Sequence, residues 1–222
     1  IASTLIDGMG IKFLLGPYSS ALTEVLAQTV DRSDALLVAS AAASESVFVG
    51  RPRVFGMLMP ASTFVAPAVE TLLALGASSL GFLREDLNFT RGVCSAVGTI
   101  AQTRGLHVAG EIVSADANMS EVRRAVASLR QANPDVLVGC VYVSVCHRVL
   151  ESMRELDFNP KATILTICVT ADDFVQTMGL RGLYVIGAAP WVSNLNLTSE
   201  LTGMDVSAFS ERYMQESGSL PP

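Results

Sequence analysis

The sequence predicts an α/β fold of parallel sheets covered by helices on both faces. Its strand-like segments are short, continuous apolar runs, and each is followed by a stretch with apolar residues at helical spacing. With 50% hydrophobic and 16% charged residues, 222 positions supply enough apolar side chain for a sizeable core.

Residues 11–15 read as a strand that ends at Gly16-Pro17. Leu22, Val25, Leu26, Thr29 and Val30 then mark a helix opening after Ser19-Ser20. A second strand over 35–38 leads into the small-residue loop 39–44. Beyond Arg53-Val54-Phe55 and Pro60, a helix over 64–75 closes at Gly76. There follow a strand over 80–83, a helix over 90–104 ended by Gly105, and a strand over 107–113. A helix over 120–131, stopped by Asn133-Pro134, leads to a strand over 136–141. The alternation continues with helix 145–156, strand 163–167, helix 171–178, strand 183–186 and a last helix over 205–216. The chain opens on what reads as the end of a helix and carries no initiating Met, so an N-terminally truncated fragment is expected.

Right-handed crossovers put every strand-to-helix loop on the carboxyl edge of its sheet, where open α/β folds bind ligands. The loops to inspect are therefore 16–20, 39–44, 84–90, 141–145 and 168–170.

Fifteen Lys and Arg against twenty-one Asp and Glu give a net charge of -6 with no basic run, which excludes a nucleic-acid partner. Neither the run at 10–15 nor that at 35–43 approaches the ~20 apolar residues of a spanning helix. Ile1 to Thr4 has no basic start of the signal-peptide kind.

Cys94, Cys140, Cys146 and Cys168 lack the paired spacing of a zinc or redox site and read as buried free thiols. Cys140 and Cys146 bracket a turn and are the pair to test for a disulfide. Three of six Asn residues, Asn88, Asn118 and Asn196, stand in N-x-S/T sequons, as in a secreted glycoprotein or by accident.

The nucleophile elbow, dinucleotide fingerprint and Walker loop are all missing. His107 reads as a half-buried strand residue and His147 as part of a first helical turn. Glu85-Asp86 and Asp172-Asp173 read as solvated loop and N-cap residues. With no catalytic constellation, metal set or cofactor fingerprint, the expectation is a non-enzymatic binding domain, ranked well above an enzyme on a doubly wound α/β fold. The loops instead carry hydroxyls and small residues. Ser19 and Ser20 sit at a helix N-terminus, where free N–H groups favour a carboxylate, and one can cap while the other faces a cleft.

In order and spacing, several motifs resemble the leucine/isoleucine/valine-binding proteins. Gly16-Pro17-Tyr18-Ser19-Ser20 and Leu36-Leu37-Val38-Ala39-Ser40-Ala41-Ala42-Ala43-Ser44 resemble that family's first-lobe signature. Val54-Phe55-Gly56-Met57 to Pro60 resembles its first crossover, and Leu80 to Phe89 its strand with an acidic loop and an aromatic. Residues 135–158 align without gaps.

The resemblance implies a two-lobed periplasmic-binding-protein type I fold that closes on its ligand. Residues 1–57 form part of lobe one, 58–188 form lobe two, and 189–222 return toward lobe one. Tyr18, Ser19 and Ser20 then belong to the ligand site, Ser20 holding a carboxylate. Ala41, Ala42 and Ala43 line the adjoining loop, and Phe89 and Tyr142 close over the ligand from lobe two. The implied partners are a small amino-acid-like or carboxylate ligand and either a membrane transporter or a fused signalling domain, a homodimer being a further option. The implied location is extracellular or periplasmic, including the ectodomain of a membrane receptor.

The sequence departs from the family pattern where amino-acid binders hold the ammonium. Ala43 replaces Thr or Ser, and no carboxylate stands near Ile167 or Cys168. Phe89 also replaces the usual Tyr. A ligand without a cationic amine is therefore expected.

Overall fold

A computed structural model describes residues 1–171, 173–189 and 191–221, in two compact units, one over 1–188 and one from 189 onward. In the first unit, β1 (Phe13–Leu15), β2 (Leu36–Ala39) and β3 (Val54–Gly56) form a parallel sheet in the order β1-β2-β3. Between β1 and β2 lies α1 (Ser20–Val30). The segment 54–57, read as a crossover from the sequence, thus contributes the third strand of this sheet.

The second sheet is also parallel, in the order β5-β4-β6-β7-β8. Its strands are β4 (Leu80–Glu85), β5 (Val108–Val113), β6 (Val136–Cys140), β7 (Ala162–Thr166) and β8 (Val185–Ala188). The helices are α2 (Ala66–Ala74), α3 (Asn88–Arg104), α4 (Met119–Ala132), α5 (Val143–Glu155) and α6 (Phe174–Met178).

Period-two alternation along β6 explains how the sheet is covered on both sides. Val136, Val138 and Cys140 pack with Val69, Val93, Val97 and Ile100 on one face. Leu137 points the other way, with Leu83 and Leu165, toward Val122, Leu129 and Val149. A separate small core of Ala27, Val30, Leu37 and Val54 holds α1 to the first sheet.

Three of the boundaries that differ from the sequence reading do so for local reasons. The helix expected over 64–75 is a 3-10 turn, Ala61–Thr63, followed by α2. Pro67, lacking an N–H, sits in the first turn of α2, where none is needed. The Asn118 side chain accepts from the Glu121 amide and starts α4 at Met119. The helix expected over 171–178 shrinks to Phe174–Met178 because a 3-10 turn, Cys168–Thr170, takes up the chain after β7.

The free-thiol expectation is overturned. Cys94 bonds to Cys140 and Cys146 to Cys168, and Cys140 and Cys146 do not pair with each other. The reason lies in the sheet order. α3 packs over β6 and brings Cys94 to that strand's last residue, while adjacent β6 and β7 place the first turns of their successors side by side. His107 is exposed just before β5, not half-buried within a strand. Among the described residues, no helix is long and apolar enough to cross a membrane.

The second unit carries α7 (Val206–Ser217), capped by Asp205 through the Ala208 amide. Phe209 and Tyr213 of α7 form an aromatic row with Trp191 beside a cavity of about 720 Å³.

Candidate ligand-binding cleft

The β1–α1 and β2 loops extend the pairing of their strands. The Gly16 amide donates to Val38 O at 3.0 Å, and Tyr18 forms an isolated parallel bridge with Ala41. Ser19 caps α1, its hydroxyl accepting from the Leu22 amide at 3.4 Å. Ser20 is the serine turned to the neighbouring loop. Its Oγ accepts from the amides of Ala43 and Ser44 at 3.3 and 3.1 Å, and the residue is 2% exposed.

The same loop touches the second sheet's helices. The Ser44 hydroxyl donates to Asn88 O at 3.4 Å, and Ala43 O accepts from the Ala61 amide at 2.7 Å. Glu45 accepts from the amide and hydroxyl of Ser62. A methyl group at Gly92 would lie 3.0 Å from the Ala61 Cβ, so α3 approaches the 3-10 turn at Ala61 closely.

Phe89, in the first turn of α3, is buried between Phe64 and Tyr142, with ring centroids 5.5 and 5.8 Å apart. Tyr142 stands at the N-cap of α5 and is half-buried. Burial pushes its phenol up to about 12, and the nearby Tyr18 and the Glu85 carboxylate add to the shift. Tyr18, paired with Ala41, is 68% exposed.

Ala43 thus shares an apolar cluster with Phe89 and Tyr142, Ser20 is bonded to that same loop, and Tyr18 pairs with Ala41 at its start. Ser19 is occupied as a cap, and Ala42 is fully buried. Ser44 and Glu85 are not among the site residues expected from the sequence. Ser44 could have been, as the last hydroxyl of its loop.

The reading of Glu85 as a solvated loop residue is corrected. Glu85 is the last residue of β4 and only 1% exposed, with Leu83 on the same face of the strand. One carboxylate oxygen accepts from the Asp116 amide at 3.0 Å and the other from the Tyr142 amide. Asp86 is exposed as expected, and the guanidinium groups of Arg91 and Arg84 hold its carboxyl below the usual range. Asp173 occupies the N-cap position of α6 without a side-chain cap bond, and Asp172 lies outside the described residues. His147 falls within α5, its Nε2 buried without a partner.

A cavity of about 890 Å³ lies elsewhere in the first unit. It is walled by Met153, Phe158, Lys161 and Arg181 at the opposite end of the second sheet. Among the described residues no group of three or more His, Cys, Asp and Glu could hold a metal ion.

A parallel two-sheet scaffold with hydroxyl and aromatic loops converging at one seam defines a binding-protein architecture. A family model described as "Periplasmic binding protein" matches residues 1–222, and the chain belongs to that family. Solved structures share the type I fold. A leucine-binding protein from Thermotoga maritima superposes with a TM-score of 0.82 at 17% identity, over 99% of this chain and 61% of its own. A possible leucine/isoleucine/valine-binding protein from Rhodopirellula baltica gives 0.80 at 14%, over 100% of this chain and 60% of its own. An ABC transporter substrate-binding protein from Desulfitobacterium hafniense in complex with Leu gives 0.74 at 14%, over 99% of this chain and 62% of its own. This chain therefore spans about three fifths of the length of these proteins.

Proposed function

We propose that the chain is the ligand-binding segment of a non-enzymatic substrate-binding protein outside the cytoplasm, and that it encloses a small organic acid or amino-acid-like compound between two lobes. Residues 1–57 belong to lobe one and 58–188 to lobe two. The observation that supports this reading is that Ala43, in the loop bonded by Ser20, shares one apolar cluster with Phe89 and Tyr142, at the carboxyl edges of two parallel sheets. That edge is where open α/β sheets take their ligands. The positive end of α1 and the Ser20 hydroxyl proton suit a carboxylate, while Phe89 and Tyr142 suit an apolar body.

The likeness to an ABC transporter substrate-binding protein favours a transport partner in the membrane over a receptor ectodomain. The two disulfides, all four cysteines of which are 5% exposed or less, fit an oxidising compartment. A thermal-shift screen of carboxylates, amides and amino acids, followed by calorimetry, tests the reading. A hit should raise the melting temperature by mass action and lose its effect in Tyr142→Ala. A hit that Tyr142→Ala and Ser20→Ala both leave unchanged places the ligand elsewhere.

A further inference from the structure

We propose that Glu85 is a positioning residue of this cleft, fixing the backbone that presents Tyr142 by bridging the Tyr142 and Asp116 amides with its buried carboxylate; its effect on ligand rests on the cleft reading given above.

Topology makes this position singular. β4 lies between β5 and β6, so a side chain at its carboxyl end can reach both the β5–α4 loop and the β6–α5 loop. Glu85 does so, one oxygen accepting from Asp116 N at 3.0 Å and the other from Tyr142 N. Its own carbonyl accepts from the Thr90 hydroxyl at 2.7 Å, tying the start of α3 to the same point.

The charge is balanced without a cation. Its neighbour Arg84 turns to Asp86 at 3.1 Å, while Tyr142 is the N-cap of α5, whose positive dipole end faces the carboxylate. Asp116 completes a ring, accepting from Ser144 Oγ at 2.9 Å and Arg148 Nη1 at 2.8 Å, both on α5. A buried carboxylate is a poor choice for packing alone, since an apolar side chain of similar volume fills such a space without desolvating a charge. What the carboxylate adds is direction, because two acceptor oxygens fix two amides.

Glu85→Gln keeps the volume but leaves a single oxygen for the two amides and removes the charge. In the folded variant, ultraviolet titration should place the Tyr142 phenol midpoint, identified by difference from Tyr142→Phe, below that of wild type. The Asp116 and Tyr142 amides should exchange faster in ¹⁵N spectra. Affinity for 4-methylpentanoate should fall about tenfold. Leu83→Ala, on the same strand face, serves as the control that lowers stability without moving the midpoint. A Glu85→Gln protein that is merely less stable, with midpoint and amide exchange unchanged, overturns the proposal. Should that variant not fold, the wild-type protein decides: Asp116 and Tyr142 amides exchanging as fast as that of exposed Ser144 overturn it, and strongly protected ones uphold it. If no compound of the screen binds wild type in a manner sensitive to Tyr142→Ala or Ser20→Ala, the cleft reading falls, while the midpoint and the amide exchange still judge Glu85.

Discussion

The side-chain oxygen of Ser20 lies 3.1 Å from the amide nitrogen of Ser44, in a site from which water is excluded. The hydroxyl at the start of α1 therefore stitches two loops together. Ser20→Ala leaves the Ala43 and Ser44 amides without that acceptor, which should destabilise the unliganded protein by about 1–3 kcal/mol. Urea denaturation reads the stability change, and calorimetry with 4-methylpentanoate should show weaker binding. An unchanged urea midpoint would contradict the hydrogen bonds described.

Tyr142 makes stability pH-dependent on the alkaline side only. Its phenol rises from the ordinary 10.0 to about 12 in the folded chain. The unfolded chain thus loses this proton first as pH climbs. The contribution of Tyr142 is fully present below pH ~10 and is lost as pH rises toward ~12. Tyr142→Phe should flatten the decline of melting temperature across that window and leave the curve below it unaltered. Identical alkaline curves would show that Tyr142 is more solvated than described.

The acidic groups near the seam already have partners. Glu85 faces two amides and Asp86 is held by Arg91 and Arg84, while the Ala43 carbonyl, a further acceptor there, is already taken by Ala61 N. An enclosed ammonium would lose its hydration for little return, a penalty of several kcal/mol. L-leucine should therefore bind at least about tenfold more weakly than 4-methylpentanoate, its amine-free counterpart, and Asp86→Asn should change neither. Calorimetric titration of the two ligands decides, and tighter binding of leucine would sink this expectation.

The disulfides should differ in what they contribute. They join residues 46 and 22 apart in sequence. Loop-closure entropy gives about 4 and about 3 kcal/mol respectively. Replacing Cys94 and Cys140 by Ala should lower stability more than replacing Cys146 and Cys168. Alkylation of the denatured, unreduced protein should add no mass, and after reduction it should add four carbamidomethyl groups. Labelling before reduction would restore the free-thiol reading.

Much of the fold was legible because its determinants are local. Apolar runs such as Val136–Cys140 mark a strand buried on both faces, and Gly105, Asn133 and Pro134 end their helices through backbone geometry. The loops at the carboxyl edges followed from crossover handedness. What the sequence concealed depends on non-local neighbours. That Cys94 meets Cys140 requires knowing that α3 covers β6, and that Glu85 is buried requires knowing that β4 sits between β5 and β6. In the local pattern Glu85-Asp86 is an acidic pair entering a loop, and nothing nearby distinguishes the buried carboxylate from the exposed one.

The cysteine pairing also bears on how such a chain matures. The bonds are consecutive and un-nested: Cys94 joins the next cysteine in the chain, Cys140, and Cys146 joins the next after that, Cys168. Four cysteines allow three connectivities. For a polypeptide threaded amino end first into an oxidising space, this is the arrangement in which each thiol's first newly emerging partner is its native one. Cys94 can be sealed to Cys140 before Cys146 arrives to compete, so oxidation in order of emergence yields the correct pairs without reshuffling.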